Sequence, residues 1–146
     1  MAEINGCNIP EGLFYLLEKH VWAQPLEDGT VRVGITAVAA KLSGGKLAAV
    51  TVSARKVGRE VPQGKSVATL ESSKYVGPVP SPVTGTLVRG NEALASDPNL
   101  AVADPYGEGW VAELEVGEWN PAGLVTGEEG VEAYRALLEA EGVSCD

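Results

Sequence analysis

Cysteine, histidine and large aromatic side chains are scarce in this sequence. Its 146 residues include two cysteines, one histidine, one phenylalanine and three tryptophans. Two cysteines are too few for a disulfide scaffold, and one histidine without a cysteine pair at ligand spacing gives no basis for a structural zinc site. We therefore expect no bound metal, and a core built mainly from valine, leucine and alanine.

Basic residues and long apolar runs are also scarce. The 11 basic residues face 20 acidic ones, for a formal net charge of −9, which argues against nucleic acid and anionic membrane surfaces as partners. No apolar run reaches the length that spans a bilayer, and the N-terminus lacks the basic and apolar regions of a secretory signal. These features predict a cytoplasmic protein without membrane insertion.

Glycine and proline, by contrast, are frequent, with 18 and 9 residues. They separate short valine-rich runs, which is typical of many short strands joined by tight turns. These runs predict strands over residues 30–36, 47–53, 66–71, 83–89 and 109–116, with apolar and polar residues alternating in the first and last of them. Helical spacing and capping residues predict helices over residues 11–18, 37–42, 91–95 and 131–140. With no break that indicates a second domain, we predict one mainly β domain over residues 1–146.

The segment 64–87 contains the most informative pattern. The strand predicted to end at Glu71 is followed by Ser72 and Ser73, whose small polar side chains permit a tight turn. This places Lys74 at the tip, before a proline-rich return into a second strand. A lysine fixed on a rigid hairpin is what a carrier of a mobile, covalently attached group needs. These residues alone, however, favour the simpler interpretation that Lys74 is one exposed lysine among several.

A resemblance to a known family changes that balance. Glu71-Ser72-Ser73-Lys74 is similar to the lipoylation motif Glu-Ser-x-Lys of the glycine cleavage H-protein family. Further motifs of that family are matched, in the expected order, by residues 20–22, 28–36, 81–85, 91–94 and 104–110. The resemblance implies a barrel-sandwich hybrid fold with short N-terminal and C-terminal helices, a core over about 19–117 and a C-terminal helix over about 130–141.

The resemblance also implies a function. The chain is expected to be a carrier rather than an enzyme, with lipoate linked covalently to Lys74 and reactive atoms that belong to the cofactor. Glu71, Ser72, Ser73 and Tyr75 then flank the tip and contribute to recognition by a lipoate–protein ligase or lipoyl-assembly enzymes. Biotin is disfavoured as the attached group, because a biotinyl lysine typically lies between two methionines.

Four segments depart from the usual H-protein pattern, namely residues 5–10, 16–22, 42–46 and 75–80. The first and last of these resemble the lipoate-binding proteins of bacterial sulfur oxidation, which work with a heterodisulfide-reductase-like complex. We therefore expect the arm to carry sulfur-bound intermediates and electrons. The alternative is a glycine cleavage carrier that serves glycine decarboxylase, the folate-dependent aminomethyltransferase and dihydrolipoyl dehydrogenase. A third possibility is an interaction module of the same fold that is never lipoylated. A diffusing shuttle of either kind is most simply a monomer.

Several other residues invite a functional interpretation. Cys7 and Cys145 are expected to be inert thiols, although they could approach each other in the fold and sense or relay sulfur. His20 is expected to have a structural role near Trp22. Residues 58–66 resemble a phosphate-binding loop but have one residue too many between the glycines, so a turn before a strand is expected. Residues 104–110 are expected to form a turn before the last strand, because their acidic groups are too few for a calcium site.

Overall fold

The computed structural model describes residues 2–145. Its strands are β1 (Ala2–Ile4), β2 (Cys7–Ile9), β3 (Phe14–Leu16), β4 (Val21–Pro25), β5 (Thr30–Ile35), β6 (Ala49–Thr51), β7 (Glu60–Val61), β8 (Ser66–Glu71), β9 (Val76–Pro80), β10 (Gly85–Gly90), β11 (Ala112–Glu115) and β12 (Val125–Thr126). Its α-helices are α1 (Ala37–Leu42), α2 (Ala93–Ser96), α3 (Leu100–Ala103) and α4 (Gly127–Glu141). Short 3₁₀ turns cover Leu17–Lys19 and Ala54–Lys56.

The strands form two main sheets and one separate hairpin. The larger sheet has seven strands in the order β12-β3-β4-β5-β11-β10-β7, and the smaller has the order β6-β8-β9. The pairings between neighbouring strands are antiparallel, and β1 pairs with β2 alone. This sandwich of sheets, followed by a C-terminal helix, confirms the mainly β class expected from the sequence.

The apolar residues of both sheets meet in one large cluster. Val31, Val33 and Ile35 of β5 are buried there, as are Val67 and Leu70 of β8. In β5 these side chains are two residues apart, because successive residues of a strand point to opposite faces of its sheet. In β5, the alternation that predicts the strand is therefore the same feature that builds the core.

A second apolar cluster lies under α4. It includes Trp22 and Tyr15 from the larger sheet, Ile4 from β1, and Tyr134 and Leu138 from α4. Helix α4 begins four residues before the predicted 131 and ends at Glu141. The next residue, Gly142, has a φ of 67°, the left-handed conformation of a C-terminal cap. This cluster joins both ends of the chain to the sandwich.

The helix predicted over residues 11–18 is wrong. Phe14–Leu16 is instead strand β3, which pairs with β4, and the helical part is limited to the 3₁₀ turn Leu17–Lys19. Tyr15 is buried within β3, and its hydroxyl donates a hydrogen bond to the carbonyl of Pro10. Pairing with a neighbouring strand overrides the local helix signal at Pro10, since β4 supplies hydrogen bonds that no local pattern reveals.

The proline-rich return after Lys74 is itself a strand, and not a linker into one. Residues Val76–Pro80 form β9, which pairs with β8 and lies at the edge of its sheet. Proline is tolerated in an edge strand, because a backbone N–H there can face solvent and its absence then breaks no hydrogen bond between strands. Strands β8 and β9 therefore both reach the turn that contains Lys74, with no linker between the turn and the second strand.

The expectation of free, inert cysteines is also wrong. Cys7 of β2 and Cys145 after α4 form a disulfide, with Cα atoms 5.0 Å apart. The backbone N–H of Cys145 donates to the Asn5 carbonyl at 2.9 Å, and Asn5 Nδ2 donates to the Val143 carbonyl at 3.3 Å. These bonds hold the C-terminal segment against the β1–β2 hairpin, so the alternative in which the two cysteines approach each other describes the structure.

Candidate functional site

Lys74 lies in the turn between β8 and β9, where its side chain is exposed. The last paired residues of the hairpin are Glu71 and Val76. Between them the N–H of Ser72 donates to the carbonyl of Tyr75 at 2.7 Å, which closes a four-residue turn. The predicted tip position of Lys74 is thus the position the structure gives it.

Ser72 stabilises this turn from inside. Its side chain is buried, and its Oγ accepts hydrogen bonds from the backbone N–H groups of Lys74 at 3.3 Å and Tyr75 at 3.1 Å. A serine hydroxyl bonded to the following backbone is a common way to hold a tight turn. The backbone of Lys74 is therefore fixed while its side chain extends into solvent.

The other predicted tip residues differ in their environment. Glu71, Ser73 and Tyr75 are exposed, so their side chains are accessible to a partner. The Glu71 carbonyl accepts from the N–H of Ala48 at 2.8 Å, which ties the tip to the loop between α1 and β6. Glu71, Ser73 and Tyr75 are thus exposed next to Lys74 in the chain, whereas Ser72 acts from beneath the turn.

An apolar cleft of about 150 Å³ opens beside the tip. Tyr75 and the proline-containing strand β9 form one wall, and α1 contributes Ala39 and Leu42 to another. Lys19 and His20 complete the lining near the 3₁₀ turn. Sequence patterns do not reveal this cleft, because its walls come from segments far apart in the chain.

His20 has the structural role expected of it, but its partner is Tyr134 rather than Trp22. His20 Nδ1 lies 2.6 Å from the Tyr134 hydroxyl, which in turn lies 2.8 Å from Thr36 Oγ1. Burial lowers the pKa of His20, and Glu141 opposes this shift. Burial also raises the pKa of Tyr134, so its hydroxyl keeps its proton and remains available for this chain of hydrogen bonds.

The two loops considered for ligand binding serve the fold. Residues 58–66 lead through β7 into β8 with no helix after Gly64, as expected for a turn before a strand. Residues 104–110 form a turn before β11, in which Asp104 Oδ2 accepts from the N–H of Glu108 at 2.9 Å. The Pro105 carbonyl in this turn accepts from Trp22 Nε1 at 3.0 Å.

The described part of the chain offers no alternative centre of metal chemistry. Within residues 2–145, no group of three or more histidine, cysteine, aspartate or glutamate side chains is arranged to hold a metal ion. In the same range, no helix has both the length and the apolar character needed to cross a membrane.

A sandwich of sheets with a lysine exposed at a hairpin turn is the arrangement found in carrier domains that bear a prosthetic group on a lysine. Comparison with known proteins specifies the family. The sequence profile described as "Glycine cleavage H-protein" matches residues 14–137, so the chain belongs to the glycine cleavage H-protein family. Proteins of this family carry a lipoate attached covalently to a lysine, and they act as carriers without catalytic activity of their own.

Individual relatives agree with this assignment. The "Glycine cleavage system H protein 2" of Aquifex aeolicus (strain VF5) is 43% identical over 147 residues, covering 99% of this chain and 89% of that protein. The "Glycine cleavage system H protein 5" of the same organism is 42% identical and covers 99% of both chains. The crystal structure of a glycine cleavage system H protein from Mycobacterium marinum matches with a TM-score of 0.70 and 33% identity, covering 92% of this chain and 100% of that chain.

Proposed function

We propose that Lys74 is the residue of this chain that carries the lipoyl arm. The observation that carries the proposal is the turn 72–75, in which Ser72 holds the backbone of Lys74 while the lysine side chain is exposed. A fixed base with an accessible amine is what a modifying enzyme and several partners in turn require. The motif Glu71-Ser72-Ser73-Lys74 supports the same residue independently of the geometry.

The residues at the tip define what the chain itself contributes. The exposed Nζ of Lys74 can enter the active site of a lipoate–protein ligase or a lipoyl-assembly enzyme. There it forms an amide with an activated lipoyl carboxyl, whose activating group leaves. Once bound, the group supplies a disulfide–dithiol pair for transfer chemistry. The exposed side chains of Glu71, Ser73 and Tyr75 provide the surface that partners recognise.

For the pathway, we propose the glycine cleavage system. The relatives that cover nearly the whole chain are named glycine cleavage system H proteins, and this supports that pathway over the sulfur oxidation role expected from residues 75–80. The partners would be glycine decarboxylase, the folate-dependent aminomethyltransferase and dihydrolipoyl dehydrogenase. The chain would act as a monomeric, single-domain carrier in the cytoplasm, since a shuttle that visits three enzymes needs a freely accessible arm.

One observation keeps sulfur oxidation as a second candidate. Large apolar side chains are exposed at the tip and at the end of α1, with Val76 66%, Leu42 51% and Tyr75 46% exposed. All three belong to the segments that depart from the H-protein pattern. An exposed apolar patch marks a surface that meets a partner, and a changed patch beside the arm favours a changed partner such as a heterodisulfide-reductase-like complex.

Mass spectrometry tests the attachment site. Intact protein purified from its native host should show the mass increment of one lipoyl group, and peptide mapping should place it on Lys74. Lys74→Ala should lose the increment. Lys46→Ala, which replaces another exposed lysine, is the matched control and should keep it. An unmodified native protein would favour an interaction module of the same fold.

A complementation assay separates the two pathways. The chain is expressed in a strain that lacks its own glycine cleavage carrier, together with a ligase that lipoylates it. Restored growth on glycine would support the glycine cleavage role. If the lipoylated chain fails to restore growth, but its dithiol form is oxidised by a purified heterodisulfide-reductase-like complex, the sulfur oxidation role is the correct one.

A further inference from the structure

The segment 42–46 departs from the family pattern, and in the structure it meets Lys74. A Cβ atom built on Gly44 would lie 3.2 Å from Lys74 Cδ and 3.7 Å from both Cγ and Cε. Once the immediate chain neighbours of Gly44 are set aside, the three heavy atoms nearest to that position all belong to the Lys74 side chain. The methylene stem of Lys74 therefore lies directly over the bare backbone of Gly44.

Hydrogen bonds at both ends hold the Gly44 loop in place. At the end of α1, the N–H of Gly44 donates to the Lys41 carbonyl and that of Gly45 to the Ala40 carbonyl, both at 3.0 Å. Farther along, Leu47 exchanges two hydrogen bonds with the side chain of Asn99, at 2.8 and 3.2 Å. The surface beneath the lysine stem is thus a fixed part of the fold.

The next glycine provides a contrast. Gly44 and Gly45 both have left-handed backbones, with φ of 97° and 78°, so an L-amino acid is strained at either position. A Cβ on Gly45, however, would have nothing within 4 Å, whereas a Cβ on Gly44 would press on Lys74. An added side chain would therefore disturb the lysine at Gly44 but not at Gly45.

We propose that Gly44 is a positioning residue that seats the stem of Lys74 and thereby sets the base of the lipoyl arm. This proposal rests on the proposed attachment at Lys74 and adds to it. With its Cγ, Cδ and Cε against Gly44, the stem of the exposed lysine is supported on one side by the loop, and the arm extends into solvent beyond Cε. The segments 42–46 and 75–80, which both depart from the family pattern, then belong to one site. Leu42 of the first and Tyr75 of the second line the same cleft beside Gly44.

Nuclear magnetic resonance tests the contact directly. Wild-type protein is labelled with ¹³C-glycine and ¹³C-lysine and studied first without lipoate and then with it. We expect nuclear Overhauser effects between the Gly44 α protons and the Lys74 δ and ε protons in both forms. Absence of these effects in the unmodified protein would overturn the proposal that the stem of Lys74 is seated on Gly44. This readout needs no variant, and it does not depend on whether Lys74 is ever lipoylated.

Kinetics of modification test what the seat does. The kcat/KM for lipoylation by a purified lipoate–protein ligase is compared among wild type, Gly44→Ala and Gly45→Ala. We expect kcat/KM to be roughly twofold to tenfold lower for Gly44→Ala than for Gly45→Ala. The reason is that the ligase must then order a lysine side chain that the wild-type loop already holds. Equal values for the two variants would overturn the functional role of Gly44, because backbone strain is common to both.

The mobility of the lysine distinguishes the seat from a general structural effect. In the unmodified proteins, ¹³C relaxation of Lys74 Cε should show greater mobility in Gly44→Ala than in wild type, with Gly45→Ala close to wild type. Unchanged Lys74 relaxation in Gly44→Ala would contradict the proposal. If the wild type shows the expected contact but accepts no lipoate, the proposed attachment at Lys74 fails and the seating of the side chain stands.

Discussion

Cys7 and Cys145 are joined by a disulfide across 138 positions of sequence. The bond links β2 to the segment after α4, so it closes a loop that contains nearly the whole chain. Cross-linking so large a loop reduces the conformational entropy of the unfolded chain more than that of the folded one. The disulfide therefore contributes to stability even though it lies outside the hairpin that presents Lys74.

Reduction of this disulfide is expected to lower the free energy of unfolding by about 4 to 5 kcal/mol, the size expected for a loop of this length. Chemical denaturation of the wild type with and without reductant measures the difference. The double variant Cys7→Ala/Cys145→Ala is the control, because its stability should not respond to reductant. Two freely reactive thiols in the native, unreduced protein would contradict the bond.

Replacement of Ser72 by alanine should impair lipoylation more than the same change at Ser73. Ser72 Oγ accepts the N–H groups of Lys74 and Tyr75, whereas Ser73 is exposed on the turn. Each lost hydrogen bond costs about 1 kcal/mol, which loosens the backbone at the attachment site. Ligase kinetics on the two variants provide the measurement. A larger effect at Ser73 would show that direct recognition outweighs the geometry of the turn.

The stability of the fold should depend on pH through His20. Burial lowers its pKa below the ordinary value of 6.5, so the folded protein favours the neutral ring. As the pH falls below about 6.5 the unfolded chain binds a proton that the folded chain does not, and stability is lost until the folded pKa is reached. The contribution is therefore fully present above about pH 6.5 and decreases below it.

Denaturation across pH 4 to 8 measures this effect (about the range in which histidine titrates). His20→Asn is the suitable comparison, because asparagine tolerates the left-handed φ of 56° at this position. The variant should lack the histidine contribution to the slope. A titration by nuclear magnetic resonance that places the His20 pKa at or above 6.5 would refute the prediction.

Two arginines that share one buried carboxylate should contribute unequally. Glu113 is 4% exposed and pairs with Arg32 at 2.9 Å and Arg89 at 2.7 Å, whose side chains are 31% and 61% exposed. Arg32 also lies 4.7 Å from the centre of the Trp110 ring. Because solvent weakens the more exposed pair, Arg32→Met should cost about 2 kcal/mol and Arg89→Met about 1 kcal/mol or less.

The double variant of these arginines sharpens the prediction. With both guanidinium groups removed, the buried Glu113 carboxylate loses both of its ion pairs, so the combined loss should exceed the sum of the single losses. Thermal or chemical denaturation of the wild type, the two single variants and the double variant measures the free energies of unfolding that this comparison needs. Additive losses would show that solvent or a rearranged neighbour replaces the missing partners.

Local patterns in the sequence determined much of the fold that surrounds the site. Strand β8 and helix α1 have the predicted bounds, because the turn residues Ser72 and Ser73 follow the strand and Thr36 caps the helix by accepting from the Ala39 N–H. The position of Lys74 in a turn also follows from neighbouring residues alone. These features depend on interactions within a few residues, which the sequence displays directly.

Other features were decided only by the tertiary structure, because their partners are distant in the chain. Phe14–Leu16 is a strand because β4 pairs with it, and Cys7 finds Cys145 because α4 returns the C-terminus to the β1–β2 hairpin. The lysine that the sequence marks as a candidate is seated by Gly44, thirty positions earlier. The sequence by itself identified the lysine and its turn, and the packing of remote segments determined where its side chain lies and what surrounds it.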